Sequence, residues 1–167
     1  NLDVKLKLGF MQASGGKLNE ARDAALAVLA NRPQDPEAPL LLAETAAQPK
    51  LIDEVRQRLQ QLPPAAAGGA PVQVALGMLE LRQRKIAEAE ALFKRALAVD
   101  AKSVPAHSAL GVVYIAQKNL VQAEAEFKAA AELSPHRSPK RIQYAQFKIQ
   151  NNAAAAGRQI LEGITKQ

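Results

Sequence analysis

Apolar residues recur every three to four positions along most of the chain, which is the spacing of an amphipathic helix. Short polar, glycine or proline breaks divide this pattern into pairs of helical segments. The breaks within pairs are Gly15-Gly16, Pro49, Gln83-Arg84, Lys118-Asn119 and Asn151-Asn152. Pro33 and Pro135 end second segments, because proline has no N–H to donate and disfavours helix in the residue before it. The pattern predicts an all-α protein with ten helices in five helix-turn-helix units.

The five units align at a period of 34 residues without gaps, which is typical of a helical repeat protein. One column of the alignment holds large side chains, namely Leu8, Leu42, Leu76, Leu110 and Tyr144. The next column is small, with Gly9, Ala43, Gly77, Gly111 and Ala145. A later column on the second helices is mostly bulky, with Ala25, Leu59, Phe93, Phe127 and Leu161. Small residues let paired helices approach closely, and we expect Phe93 and Phe127 to fill the space between neighbouring pairs.

A single unit of this kind cannot bury its apolar face alone, so the units are expected to stack into one α-solenoid. We predict a single domain over residues 1–167, with repeats at about 2–35, 36–69, 70–103, 104–137 and 138–167.

Two of the five units carry a family resemblance. Residues 104–136 resemble a complete tetratricopeptide repeat through Leu110, Gly111, Tyr114, Ala123, Phe127, Ala130 and Pro135. Residues 70–101 match nearly as well through Leu76, Gly77, Ala89, Phe93 and Ala96. The first unit keeps part of the pattern, and the second and fifth are degenerate. The resemblance implies a right-handed solenoid that binds proteins, and it leaves the partner open.

The second unit ends in a stretch rich in proline, alanine and glycine, Pro63 to Pro71, which predicts a loop of about eight residues. This loop is either an ordinary connection or a hinge between the first two and the last three units.

Both ends of the chain raise questions about neighbours. Ile160, Leu161 and Ile164 leave the last helix apolar, although solenoids need a polar terminal face. We expect that face to be covered by further repeats or by another copy of the chain, as in a homodimer. The chain opens without Met, which indicates a piece of a longer protein. Its alanine-rich, cysteine-free repeats are similar to those of bacterial envelope proteins in secretion, pilus or exopolysaccharide assembly, which favours an envelope or periplasmic location.

The net charge of +6 is concentrated at the C-terminal end, where six bases and one acid follow from Arg137 onward. Arg137, Lys140 and Arg141 form a candidate basic patch for an anionic partner such as an acidic peptide or a lipid headgroup. Nucleic acid is disfavoured as the partner, because few aromatic side chains are available to stack on bases. No apolar run is long enough to span a bilayer.

Catalytic chemistry finds little support in the sequence. The chain has no cysteine, and neither His107 nor His136 has a second metal ligand at helical spacing. Neighbouring glutamates two residues apart, such as Glu124 and Glu126, point to different sides of a helix. We therefore predict a protein that is not an enzyme and that uses no metal and no cofactor.

What the resemblance implies is a concave groove lined by the first helix of each unit. The predicted groove residues are mostly apolar and comprise Val74, Met78, Leu81, Ser108, Val112, Ile115, Ile142, Gln146 and Ile149. Family members that clamp a terminal carboxylate carry a lysine and an asparagine in the first two groove columns, and this chain has neither there. An apolar lining instead suits a peptide or the nonpolar face of an amphipathic helix.

Overall fold

The computed structural model describes residues 1–151 and 153–165. These residues form helices joined by turns, and no strand occurs among them. The helices are α1 (Leu2–Ser14), α2 (Leu18–Asn31), α3 (Ala38–Glu44), α4 (Pro49–Gln60), α5 (Pro64–Ala67), α6 (Ala70–Arg82), α7 (Ile86–Val99), α8 (Val104–Ala116), α9 (Leu120–Glu132), α10 (Pro139–Gln150) and α11 (Ala154–Thr165). The all-α prediction is confirmed. The predicted number of ten helices is wrong, since the part of the chain described contains eleven.

The additional helix, α5, lies in the stretch that was expected to be a loop. Its first residue is Pro64, a position where the missing N–H would have no partner in any case. The carbonyl of Pro63 accepts from the Ala66 N–H at 2.8 Å, and that of Pro64 accepts from the Gly68 N–H at 3.0 Å. The connection between the second and third units is therefore partly helical.

The second unit also departs from a regular helical hairpin. Its first helix, α3, has 7 residues, whereas α1, α6 and α8 have 13 each. The Thr45 hydroxyl donates to the Leu42 carbonyl at 2.8 Å, and Pro49 has no N–H to continue the helix through this segment. As a result α3 packs mainly on α2 and α6 and makes little contact with α4.

The close approach predicted for the small column is confirmed in the third and fourth units. A Cβ atom added to Gly77 would lie 2.4 Å from the Phe93 ring, and one added to Gly111 would lie 2.6 Å from the Phe127 ring. Each phenylalanine thus packs first against the glycine of its own unit. Phe127 also reaches the following repeat, through the Phe147 ring at a centroid distance of 5.3 Å.

The chain divides into two compact units of packing, Asn1–Val99 and the residues from Asp100 onward. The division lies at the turn after α7 and not in the stretch around α5, which the sequence left open as an ordinary connection or a hinge. The packing unit Asn1–Val99 holds α1 to α7 around a core of alanine, leucine and valine side chains. The second holds α8 to α11, with Phe127 and Phe147 among its buried side chains.

Candidate functional site

The candidate site is formed by the first helices of the fourth and fifth repeats, α8 and α10. Both helices belong to the packing unit that begins at Asp100. Two side-chain hydrogen bonds join these helices. The Ser108 hydroxyl donates to Gln143 Oε1 at 2.9 Å and accepts from Lys140 Nζ at 2.9 Å. These bonds connect the early turns of α8 and α10.

Four branched aliphatic side chains on these helices remain exposed, and we call them the apolar face. Val112 and Ile115 of α8 are each 44% exposed, and Ile142 and Ile149 of α10 are 39% and 38% exposed. Spacings of three and seven residues place both members of each pair on one side of their helix. Gln146 is exposed between Ile142 and Ile149. Exposed apolar side chains bordered by polar residues are a common feature of interaction surfaces.

Five of the nine predicted groove residues are exposed on α8 and α10, namely the four of the apolar face and Gln146. Ser108 is buried, because Gln143 and Lys140 cover its hydroxyl, and Val74 is buried in α6. Neither side chain is available to a partner, which corrects their assignment to the groove surface. Met78 and Leu81 are half-buried on α6, which lies in the packing unit Asn1–Val99.

The three bases of the predicted patch have different surroundings. Arg137 is exposed in the turn between α9 and α10. Lys140 helps to hold α8 against α10 through Ser108. Arg141 is half-buried, and its Nε atom is buried without a hydrogen-bond partner. Of the three, Arg137 is the one that the structure places fully at the surface.

The three apolar residues predicted for self-association, Ile160, Leu161 and Ile164, lie on α11 and are half-buried. Packing of α11 against α10 accounts for part of this burial.

Glu124 of α9 is a residue whose contacts were missed by the sequence analysis. The Lys148 ammonium of α10 lies 2.6 Å from Glu124 Oε1, and the Tyr144 hydroxyl donates to the same atom at 3.4 Å. Burial, followed by the negative charge of Glu124, raises the pKa of Tyr144. The hydrogen bond to Glu124 raises the pKa of Lys148. This cluster joins α9 to α10, and sequence spacing carried no signal for it.

Both histidines make structural contacts. His107 Nδ1 lies 2.6 Å from Glu126 Oε2 of α9, and its Nε2 lies 3.1 Å from the Ala101 carbonyl oxygen. His136 Nε2 lies 3.0 Å from the Gly163 carbonyl oxygen. Among the described residues, no cluster of three or more histidine, aspartate or glutamate side chains could hold a metal ion.

No helix in the described part of the chain has the length and apolar character needed to cross a membrane.

Comparison with known proteins identifies the repeats. The sequence model of the tetratricopeptide repeat matches residues 74–138. A search of curated proteins found no matching sequence. Among solved structures, a thermophilic tetratricopeptide repeat protein from Thermus thermophilus shares 21% identity at a TM-score of 0.72, over 100% of this chain and 93% of the other.

Two further solved structures have similar folds. PilF of Pseudomonas aeruginosa is 20% identical with a TM-score of 0.64, over 99% of this chain and 75% of the other. MamA is 16% identical with a TM-score of 0.58, over 98% of this chain and 89% of the other. At these identities the likeness concerns the fold alone. Residues 74–138 thus match the tetratricopeptide repeat, and the chain has the helical fold of a solved tetratricopeptide repeat protein.

Proposed function

We propose that this chain is a non-catalytic interaction module that binds a partner protein on the apolar face of α8 and α10. The observation that carries the proposal is the exposure of Val112, Ile115, Ile142 and Ile149 on two helices held together by Ser108. The face offers hydrocarbon and the Gln146 amide, which suit binding and contain no acid, base or nucleophile for a reaction.

The partner segment is best described as an amphipathic helix or peptide with branched or linear aliphatic side chains. Fully burying a side chain of this size is worth about 1.5–3 kcal/mol, so covering the exposed two-fifths of each gives roughly 1 kcal/mol per residue. Four such residues supply about 4 kcal/mol before the costs of association, which is a useful contribution for a partner helix laid across two neighbouring helices.

Affinity capture with paired variants tests the proposal. Wild type and Ile115→Glu/Ile142→Glu are used to capture proteins from a lysate of the source cells. Val121→Glu is the matched control, because Val121 is 83% exposed and lies on α9. Circular dichroism establishes that all three proteins keep the same helical content.

A partner held by wild type and Val121→Glu but lost by the double variant supports binding at the apolar face. Its binding segment is then synthesised as a peptide and titrated against the same three proteins. Equal capture by all three would contradict the proposal.

The location in a bacterial envelope, with a role in secretion or exopolysaccharide assembly, stays a prediction of the sequence resemblance. Fractionation of the source cells, with antibody detection in periplasmic and cytoplasmic fractions, tests it. Detection in the cytoplasmic fraction alone would overturn it.

A further inference from the structure

The two helices that carry the apolar face differ in charge from the other first helices of the repeats. The charged residues of α8 and α10 are the bases Lys140, Arg141 and Lys148, and neither helix contains an aspartate or a glutamate. Each of the other first helices contains an acid, namely Asp3 in α1, Glu44 in α3 and Glu80 in α6. The apolar face therefore lies on the two first helices that have no acid.

The acids of the same packing unit lie on its second helices. Every acid that follows Asp100 in the sequence is a glutamate of α9 or α11, namely Glu124, Glu126, Glu132 and Glu162. Three of these carboxylates, those of α9, pair with Lys148, His107 and Lys128. The first helices thus keep a net positive charge.

Two arginines next to the apolar face have no carboxylate partner among the described residues. Arg137 is exposed in the turn before α10, and Arg141 is the third residue of that helix. Neither forms an ion pair in the described part of the chain, and Nε of Arg141 is buried without a hydrogen-bond partner. Ile142 of the apolar face follows Arg141 directly, whereas Ile149 lies about 12 Å farther along the helix. Lys118 is a single exposed base after the C-terminal end of α8, so the positive charge is concentrated near Arg137 and Arg141.

We propose that the segment bound at the apolar face is acidic, with aliphatic side chains on that face and carboxylates over Arg137 and Arg141. This inference rests on the proposed function, because it describes the partner of the same face. A carboxylate matches the fork of donors on a guanidinium group. Opposite charges around an apolar contact select the partner and speed the encounter, and a partner with bases at these positions would meet like charges.

Peptide selection on the immobilised protein tests the proposal. The probe is a display library of helical peptides of about 15 residues, with leucine fixed at helical spacing. Their other positions are open in equal proportion to aspartate, glutamate, lysine, arginine, serine, glutamine and alanine. Peptides that also bind Ile115→Glu/Ile142→Glu are discarded, so the remainder depend on the apolar face. We expect these peptides to carry more acids than bases, with the acids concentrated at one end of the leucine stripe.

Affinities of single variants assign the acids to the arginines. Arg137→Glu is expected to weaken binding of the selected peptides about 10-fold or more at low salt, because repulsion replaces attraction. Arg141→Gln is expected to weaken it in the same direction, and added salt should reduce both differences from wild type. Arg158→Glu is the matched control for Arg137→Glu, because Arg158 is exposed on α11 and the net charge changes equally. It is expected to bind like wild type, and circular dichroism establishes that all variants keep their helical content.

The outcomes separate this inference from the proposed function. Peptides that depend on Ile115 and Ile142 but carry no excess of acids, or that bind Arg137→Glu and Arg141→Gln as tightly as wild type, would overturn the acidic partner and leave the binding face intact. A selection in which no peptide distinguishes wild type from Ile115→Glu/Ile142→Glu would overturn both. Vesicles containing phosphatidylserine give a further comparison. Vesicle binding that Arg137→Glu and Ile115→Glu/Ile142→Glu both abolish, without selection of acidic peptides, would overturn the proposal in favour of an anionic membrane surface.

Discussion

Substitution of Gly111 by alanine gives the sharpest test of how the repeats pack. The new Cβ would lie 2.6–2.7 Å from three carbons of the Phe127 ring. Real Cβ atoms do not approach so closely, and Phe127 cannot easily withdraw, because it is 3% exposed and packs on the Phe147 ring. The ring or the helix must therefore shift.

The expected loss follows from two opposed effects. Overpacking a well-filled core costs about 1–3 kcal/mol. Replacing glycine by alanine inside a helix returns about 0.5–1 kcal/mol by restricting the unfolded chain. We expect Gly111→Ala to lower the free energy of unfolding by about 0.5–2 kcal/mol.

Urea unfolding followed by circular dichroism measures this change. Gly163→Ala is the matched control, because Gly163 lies in α11 and a Cβ there would have no neighbour within 4 Å. We expect that control to be neutral or stabilising. A Gly111→Ala protein as stable as wild type would refute the packing argument.

The repeat alignment indicates a second substitution that should offset the cost of Gly111→Ala. Where the second-helix column holds phenylalanine, at Phe93 and Phe127, the first-helix column holds glycine; where it holds Leu59 or Leu161, the first helix has alanine. Phe127→Leu should therefore reduce the cost of Gly111→Ala, with a coupling energy of about 0.5–2 kcal/mol in a double-mutant cycle.

Three further predictions concern other contacts. Lys118 has a φ of +60° in the turn before α9, so Lys118→Gly should raise stability by about 0.5–1 kcal/mol in urea unfolding, since glycine adopts this conformation without steric cost. Lys128→Gly, within α9, should instead lower it. Arg82 donates to the carbonyls of Ala46 and Glu44 at 2.7 and 3.1 Å, so Arg82→Met should cost about 1–3 kcal/mol in the same assay; no change would show that water replaces these bonds. The pKa of Tyr144 in the folded protein is raised above its ordinary value of 10.0. The contribution of this hydroxyl to the free energy of unfolding is therefore fully present below pH 10.0 and is lost as the pH rises through the folded-state pKa. Glu124→Gln should lower the pKa of Tyr144 in an ultraviolet absorbance titration, with Tyr144→Phe identifying its signal, and an unchanged titration would contradict the role of Glu124.

Periodic features of the fold were predictable because they depend on residues close in sequence. The spacing of apolar residues located the helix pairs, and the 34-residue columns identified the glycine–phenylalanine contacts at Gly77 and Gly111. The irregular second repeat was harder to predict from the sequence, because α3 ends through the combined effect of Thr45, Pro49 and contacts from other helices. A proline-rich stretch that begins a short helix also has the composition of a loop.

The candidate site was predictable only in part, because burial depends on contacts distant in sequence. Periodicity places three columns of the repeat alignment on one side of the first helices. These columns contain the residues of the apolar face, namely Val112, Ile115, Ile142 and Ile149. Ser108 shares the same column as Ile142, yet it is covered by Gln143, which lies 35 residues away in sequence. Exposure of Val4, Leu8 and Met11 on α1 was likewise missed, since their columns hold buried positions in the second, third and fourth repeats.

Hydrogen–deuterium exchange with and without the captured partner tests the central claim most directly. Binding at the apolar face predicts slower amide exchange in α8 and α10, residues 104–116 and 139–150, with α9 unchanged at saturating partner. The Ile115→Glu/Ile142→Glu protein should show no such protection at the same partner concentration. Protection confined to α9, α11 or the helices of the first unit would contradict the account and place the binding surface elsewhere.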